Sequence, residues 1–104
     1  MMNSFYYLDH SAFEVFYYEI ETEMTYEQLC HFINKKALEY CQEHDVDPEM
    51  YMNGEVEEEI ILEVKIKKRI YHFNLYSALH HIKDVLKTNK FTPKKITILL
   101  EELI

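Results

Sequence analysis

The chain has 104 residues, 48% of them hydrophobic, with a single glycine and a formal net charge of −8. This length predicts one domain over residues 1–104 that buries a core without disulfides or metals, and the apolar content excludes a disordered acidic tail. No apolar run reaches the roughly 18 residues that a membrane-spanning helix needs, and the first residues lack the pattern of a secretion signal.

The first predicted elements are two strands. Residues 13–21 are rich in aromatic and β-branched side chains, which favour a strand. Residues 5–8 are predicted to form a short partner strand, connected through a turn at residues 9–11. Both alternating sets of side chains in 13–21 are apolar, so the sequence leaves open which set faces the core.

A long amphipathic helix is predicted next. Thr25 and Gln28 have the spacing of a capping box, and Pro48 predicts an end near His44. The apolar stripe at helical spacing consists of Tyr26, Leu29, Cys30, Ile33, Ala37, Tyr40 and Cys41. The two cysteines are separated by roughly 16 Å along this helix and cannot pair with each other. Unpaired thiols predict a reducing, cytoplasmic location.

The clearest local pattern is a β-hairpin. Ile60, Leu62, Val64 and Ile66 alternate with more polar residues, a turn of two or four residues is expected at Lys67–Lys68, and the return strand covers 69–73. Either turn gives the same register, which pairs Leu62 with Phe73, Val64 with Tyr71, Glu63 with His72 and Lys65 with Ile70. A second turn signal, Asn53–Gly54, predicts a short strand at 50–52.

The remaining chain is predicted to form a helix and a strand. Asn74 is placed to cap a helix that carries an apolar stripe from Leu75 to Leu86 and ends at Asn89. Pro93 then precedes a last strand over residues 95–101.

The predicted order is βαββαβ. It indicates an α+β fold with two helices on one face of a mainly antiparallel four- to five-stranded sheet, and a ferredoxin-like arrangement is the leading expectation. The second face of that sheet would receive apolar side chains such as Ile61, Ile70 and Leu99. Such a face predicts a homodimer, unless residues 5–8 or 48–56 cover it.

Motifs for catalysis or cofactor binding are lacking. A single glycine excludes a phosphate-binding loop. Cys41 and His44 lie one helical turn apart and would need His80 or His81 for chemistry, an arrangement that also arises by chance. Residues 45–56 resemble a calcium loop but lack its glycine and its final glutamate. We therefore expect a protein that is not an enzyme and has no catalytic residue, no metal and no cofactor.

The charge is divided along the sequence. Residues 1–63 carry sixteen acidic residues against two lysines, a formal −14, whereas residues 64–104 carry nine basic residues against three acidic ones, a formal +6. The cluster from Lys65 to Arg69 invites a nucleic-acid interpretation, but the acidic half would repel a phosphate backbone. We therefore expect a basic protein as partner, with no direct binding of nucleic acid or membrane.

The acidic half supplies the predicted interaction surface. Glu57, Glu59 and Glu63 are expected to line one edge of a strand, with about 7 Å for every two residues. The other predicted contact residues are Glu14, Glu19, Glu21, Asp45 and Asp47, with Tyr18 and Tyr51 as aromatic anchors beside the alternative Tyr17.

The expected function is that of a small acidic interaction domain that blocks a basic nucleic-acid-binding protein by imitating nucleic acid. The composition, rich in Glu, Lys, Ile, Tyr and Asn, is similar to that of small proteins from AT-rich bacterial or phage genomes, which suggests a phage or mobile-element inhibitor. The alternatives are an immunity protein for a basic toxin and a homodimeric structural or regulatory module with incidental charge.

Overall fold

The chain begins with a β-hairpin, as seen in a computed structural model that describes residues 1–103. Strands β1 (Asn3–His10) and β2 (Val15–Thr22) pair antiparallel, with Tyr7 opposite Tyr18. The Ser11 hydroxyl accepts hydrogen bonds from the backbone N–H groups of Phe13 and Glu14 and fixes the turn. Phe13 therefore lies in this turn, 91% exposed, and the predicted strand starts two residues later than expected.

Helix α1 (Tyr26–Glu43) confirms the predicted capping box. The Thr25 hydroxyl accepts from the backbone N–H of Gln28 at 3.2 Å, and the Gln28 side chain accepts from the backbone N–H of Thr25 at 2.9 Å. A short helix, α2 (Pro48–Met52), follows, so the predicted strand at 50–52 is wrong. Asp47 caps α2 by accepting from the backbone N–H of Glu49, and proline is well suited to the first helical turn.

The second hairpin has the predicted register. Strands β3 (Ile61–Ile66) and β4 (Arg69–Asn74) pair Leu62 with Phe73 and Val64 with Tyr71. The turn is the two-residue alternative, with Lys67 in the left-handed region at φ 57°. The alternate side chains from Ile60 to Ile66 are buried as expected.

The next helical segment has the predicted cap at Asn74 but ends at Val85, before the expected Asn89. The Asn74 side chain accepts from the backbone N–H of Tyr76 at 3.0 Å. A π-helical turn (Ser77–His81) leads into α3 (Ile82–Val85), and the chain then forms β5 (Leu86–Lys87) beside β1. The expected end at Asn89 is wrong because Leu86 pairs with β1, and its carbonyl oxygen accepts from the Tyr26 hydroxyl at 2.6 Å.

The last element is helix α4 (Pro93–Glu102), so the strand predicted over 95–101 is wrong. The Thr92 hydroxyl caps it by accepting from the backbone N–H of Lys95 at 3.2 Å. The apolar residues at positions 96, 99, 100 and 103 have helical spacing, and this spacing prevailed over the alternation at 96, 98 and 100.

The fold is α+β, but the strands form two sheets where a single sheet of four or five strands was expected. The first has the order β2-β1-β5 and the second is the β3-β4 hairpin, all antiparallel, so the ferredoxin-like order is not found in residues 1–103. The sheets meet through side chains, with ring centroids 4.8 Å apart for Tyr7 and Phe73 and 5.4 Å apart for Tyr18 and Tyr71.

A tyrosine hydroxyl covers part of the edge of the second sheet. The backbone N–H of Asn74, on β4, donates to the Tyr7 hydroxyl at 3.3 Å. This N–H would otherwise be an unpaired edge group of β4. The side chains of β2 that face inward are Phe16, Tyr18 and Ile20, which settles the choice that the sequence left open.

Candidate interaction surface

The two hairpins give the molecule two ends of different charge. Asn74, at the end of β4, lies beside the turn of the first hairpin, where its side-chain amide donates to the carbonyl oxygen of His10. The Lys67 turn lies at the other end, beside Glu23. Strands of eight residues separate these ends by roughly 25 Å. We call Glu14 with residues 55–59 the acidic end, and residues 67–69 the basic tip.

The acidic end belongs to a longer run of negative charge. Residues 43–59 hold eight Asp and Glu and no Lys or Arg. In the part of the chain that the structure describes, none of these eight carboxylates forms an ion pair. Their charge is therefore left for solvent or for a partner.

Glu59 attaches this run to the first hairpin. Its two carboxylate oxygens accept from the backbone N–H of Ala12 at 3.1 and 3.0 Å, and one of them also accepts from the Asn74 side chain at 3.3 Å. Hydrogen bonds to an ionised acceptor are stronger than neutral ones. Glu59 thus holds residues 55–59 next to the turn that carries Glu14.

A cleft of about 800 Å³ opens at this end, and no lysine or arginine lines it among residues 1–103. Asp9 lies at its base, 9% exposed, and accepts from the Tyr7 hydroxyl at 2.9 Å and from the backbone N–H of His10 at 2.8 Å. Burial, and then the Asp9 charge, raise the pKa of Tyr7, so the phenol keeps its proton and donates it. The lining carboxylates are those of Asp9, Glu58, Glu59 and Glu102.

The basic tip differs because acidic side chains lie beside it. The Lys67 ammonium lies 3.4 Å from the Glu23 carboxylate, and Glu21 lines a groove of about 550 Å³ together with Lys67, Lys68 and Arg69. Two further acidic residues pair with lysines elsewhere, Glu27 with Lys83 at 3.1 Å and Glu39 with Lys36 at 3.5 Å.

The structure distributes the predicted acidic contacts over three regions. Glu14, Glu57 and Glu59 lie at the acidic end, and Asp45 and Asp47 precede α2, whose Tyr51 and Met52 line the cleft. Exposed side chains of β2 and β3 make up the rest: Glu19, Glu21 and Glu63, the last with its carboxylate 3.2 Å from His72. The single-strand row of Glu57, Glu59 and Glu63 is wrong, because β3 begins only at Ile61.

The tyrosines differ in how much surface they offer. Tyr51 is 5% exposed, and its hydroxyl accepts from the backbone N–H of Ile60 at 3.2 Å. Tyr18 is partly buried against Tyr7 and Phe16 on the inward face of β2. Tyr17 is 37% exposed on the outward face, so it is the tyrosine of β2 that a partner reaches directly.

The thiols and histidines give little support to catalysis. Burial raises the pKa of both Cys30 and Cys41, so each thiol stays protonated and poorly nucleophilic at neutral pH. The His44 ring stacks on Tyr40, and its Nδ1 lies 3.0 Å from the Tyr40 carbonyl oxygen. Across residues 1–103, no three His, Cys, Asp or Glu side chains are grouped so as to hold a metal ion.

Asp9 and Glu58 were not among the predicted contacts. Asp9 follows Phe5 and Tyr7 at alternate positions, so a carboxylate on an apolar strand face was visible in the sequence. Its place at the base of the cleft depends on contacts between distant segments, which no local pattern shows.

No protein family, curated protein or solved structure matches this chain. None of the helices in residues 1–103 has both the length and the apolar character needed to cross a membrane. Function is therefore inferred from the charges and contacts of this chain alone.

Proposed function

We propose that this chain is a small non-enzymatic inhibitor whose acidic end occupies the nucleic-acid-binding groove of a basic protein. The observation that carries the proposal is the run of eight carboxylates between Glu43 and Glu59, which contains no basic residue and forms no ion pair within residues 1–103. A surface of one sign steers a partner of the opposite sign and favours fast association.

The contacts of Glu59 and Asp9 support this proposal in a second way. They hold residues 55–59 and the cleft in one arrangement before a partner binds. A preorganised surface loses less conformational freedom on binding than a flexible acidic tail does. Tyr17, together with Glu19 on the outward face of β2, would extend the contact beyond the acidic end.

The composition favours a phage or mobile-element origin, in which case the target is a nucleic-acid-binding enzyme of the bacterial host. The test is affinity capture from a bacterial lysate on the immobilised chain, followed by elution with duplex DNA. Release of a basic nucleic-acid-binding protein by the DNA is the expected result, because the two ligands would compete for one groove.

A matched pair of variants locates the surface. The first neutralises three unpaired carboxylates, Glu55→Gln, Glu57→Gln and Glu58→Gln. The second neutralises three that pair with lysines, Glu23→Gln, Glu27→Gln and Glu39→Gln. Both change the net charge equally, but only the first is expected to lose the captured protein. Equal loss in both, or a captured protein that DNA does not release, contradicts the proposal; the second outcome would favour a toxin partner.

A further inference from the structure

Helix α4 is held to the rest of the protein by little buried surface. It has ten residues, and none of them is buried. Isolated helices shorter than about 12–15 residues are marginal in water and depend on packing. Ile98, at the middle of α4, is nevertheless 43% exposed.

The charges of α4 are unfavourable for a lone helix. Lys94 and Lys95 lie in its first turn, and Glu101 and Glu102 lie in its last turn. The helix dipole favours the opposite order, with acidic residues first and basic residues last. None of these four side chains forms an ion pair within the described chain.

These four charges are symmetric about Ile98. They lie three and four residues before it and after it, and residues at these spacings share one helix face. An antiparallel second helix centred on the same residue would place Lys94 opposite Glu102 of the second copy, and Lys95 opposite Glu101 of the second copy. The dipoles of the two helices would also oppose each other.

We infer that α4 is a self-association surface, on which a second copy of this chain packs its own α4 antiparallel across a two-fold axis at Ile98. A two-fold interface brings the same patch of both copies together, so one complementary arrangement of charge gives four intermolecular ion pairs. A groove of about 320 Å³ beside Ile98, lined in part by Leu8, Val85 and Phe91, offers apolar surface to the Ile98 side chain of the second copy.

The expected dimer is weak and reversible. Two ten-residue helices bury less area than a standard interface, so the dissociation constant should fall in the micromolar range. The surface differs from the second sheet face that the sequence suggested, and of its charged residues only Glu102 also lines the cleft at the acidic end. The Ile98→Ser variant and the Lys94→Glu, Lys95→Glu variant leave the carboxylates of that cleft unchanged, so the dimer and the inhibitor function can fail independently.

Two apolar substitutions on α4 test which face is involved. Sedimentation equilibrium at high micromolar concentration should show the wild type as a dimer of 12.7-kDa chains. Ile98→Ser should weaken dimerisation at least about 10-fold. Leu100→Ser is the matched control, since Leu100 is 49% exposed on a different face of the same helix, and it should leave dimerisation unchanged. A monomeric wild type, or equal effects of the two substitutions, overturns the inference.

A charge exchange separates loss of the dimer from loss of the fold. The double variant Lys94→Glu, Lys95→Glu should be monomeric, while its far-ultraviolet circular dichroism is kept, because acidic residues suit the first turn of a helix. Adding Glu101→Lys and Glu102→Lys reverses all four charges, restores complementarity and should restore the dimer. Failure of this fourfold exchange to restore association in a folded protein contradicts the antiparallel pairing.

Discussion

The acidic end and the basic tip lie at opposite ends of the same pair of hairpins. They differ in whether their charged side chains have a side chain of opposite charge close by. At the basic tip, Lys67 lies within 3.4 Å of Glu23, and Glu21 shares a groove with Lys68 and Arg69. At the acidic end, the carboxylates have no cation beside them in the described residues, and only Glu59 makes hydrogen bonds.

This difference shows that the two oppositely charged halves of the sequence do not simply become two oppositely charged surfaces. Part of the −14 is matched by lysines brought from the second half of the chain, such as Lys67 and Lys83. What stays unmatched is concentrated in residues 43–59, and that run is where an opposite charge on a partner would act most strongly.

The largest expected effect comes from neutralising the unmatched end. The triple variant Glu55→Gln, Glu57→Gln, Glu58→Gln should lower affinity for the captured partner by about 10- to 100-fold. Isothermal titration measures it against the triple variant of Glu23, Glu27 and Glu39, which should change affinity less than about threefold. A larger loss in the second variant would remove the distinction between the two ends.

The next effect concerns the buried group beneath the acidic end. Tyr7→Phe removes a hydroxyl that donates to the Asp9 carboxylate and accepts from the backbone N–H of Asn74. The loss of both hydrogen bonds should lower the free energy of unfolding by about 2 kcal/mol. Urea unfolding measures the change. Tyr17→Phe, on the exposed outward face, is the control and should cost less than about 0.5 kcal/mol. Equal effects would mean that the hydroxyl of Tyr7 contributes nothing specific.

Alkaline pH probes the same buried group. Burial raises the pKa of Tyr7 above its usual 10.0 and the pKa of Tyr26 to about 12. Because the folded state holds these protons more tightly, their contribution is complete below about pH 10 and is lost as pH rises further. Urea unfolding from pH 8 to pH 11 should show stability falling above about pH 10, with a shallower fall in Tyr7→Phe. A slope unaffected by that substitution would contradict this assignment.

Substitution of Glu59 should cost more stability than the same substitution of its neighbour Glu58. Glu59→Gln weakens the bonds to Ala12 and Asn74 and should cost about 1 kcal/mol of stability. Glu58→Gln, which carries the same charge change next to it, should be neutral within about 0.5 kcal/mol. Thermal unfolding of both variants decides whether Glu59 holds the loop in place.

The smallest effect is expected at the basic tip. Glu23→Gln breaks an exposed ion pair whose side chains are 45% and 72% exposed, and such pairs contribute about 0.5 kcal/mol or less. A loss above about 1 kcal/mol in urea unfolding would show that the tip is a structural contact and not a solvated one.

Local patterns predicted the local structure well. The register of β3 and β4 followed from alternation, and the start of α1 followed from the Thr25 capping box. Helix α4 was missed, although Thr92 and Pro93 are typical of a helix start, because Ile96, Ile98 and Leu100 also alternate as in a strand.

Features that depend on contacts between distant segments could not be predicted from the sequence. The contact between the two sheets includes the hydroxyl of Tyr7 at the edge of β4, where it accepts from the backbone N–H of Asn74, 67 positions away along the chain. The composition of the acidic run was plain in the sequence, but which carboxylates pair with lysines depends on how the segments pack.

The most direct test of the central claim is the salt dependence of binding between this chain and the protein that duplex DNA elutes from it. Between about 50 and 300 mM NaCl, the affinity should fall at least about 10-fold, and the triple variant of Glu55, Glu57 and Glu58 should show a shallower dependence. An affinity independent of salt, or the same salt dependence in both proteins, would contradict binding through the acidic end.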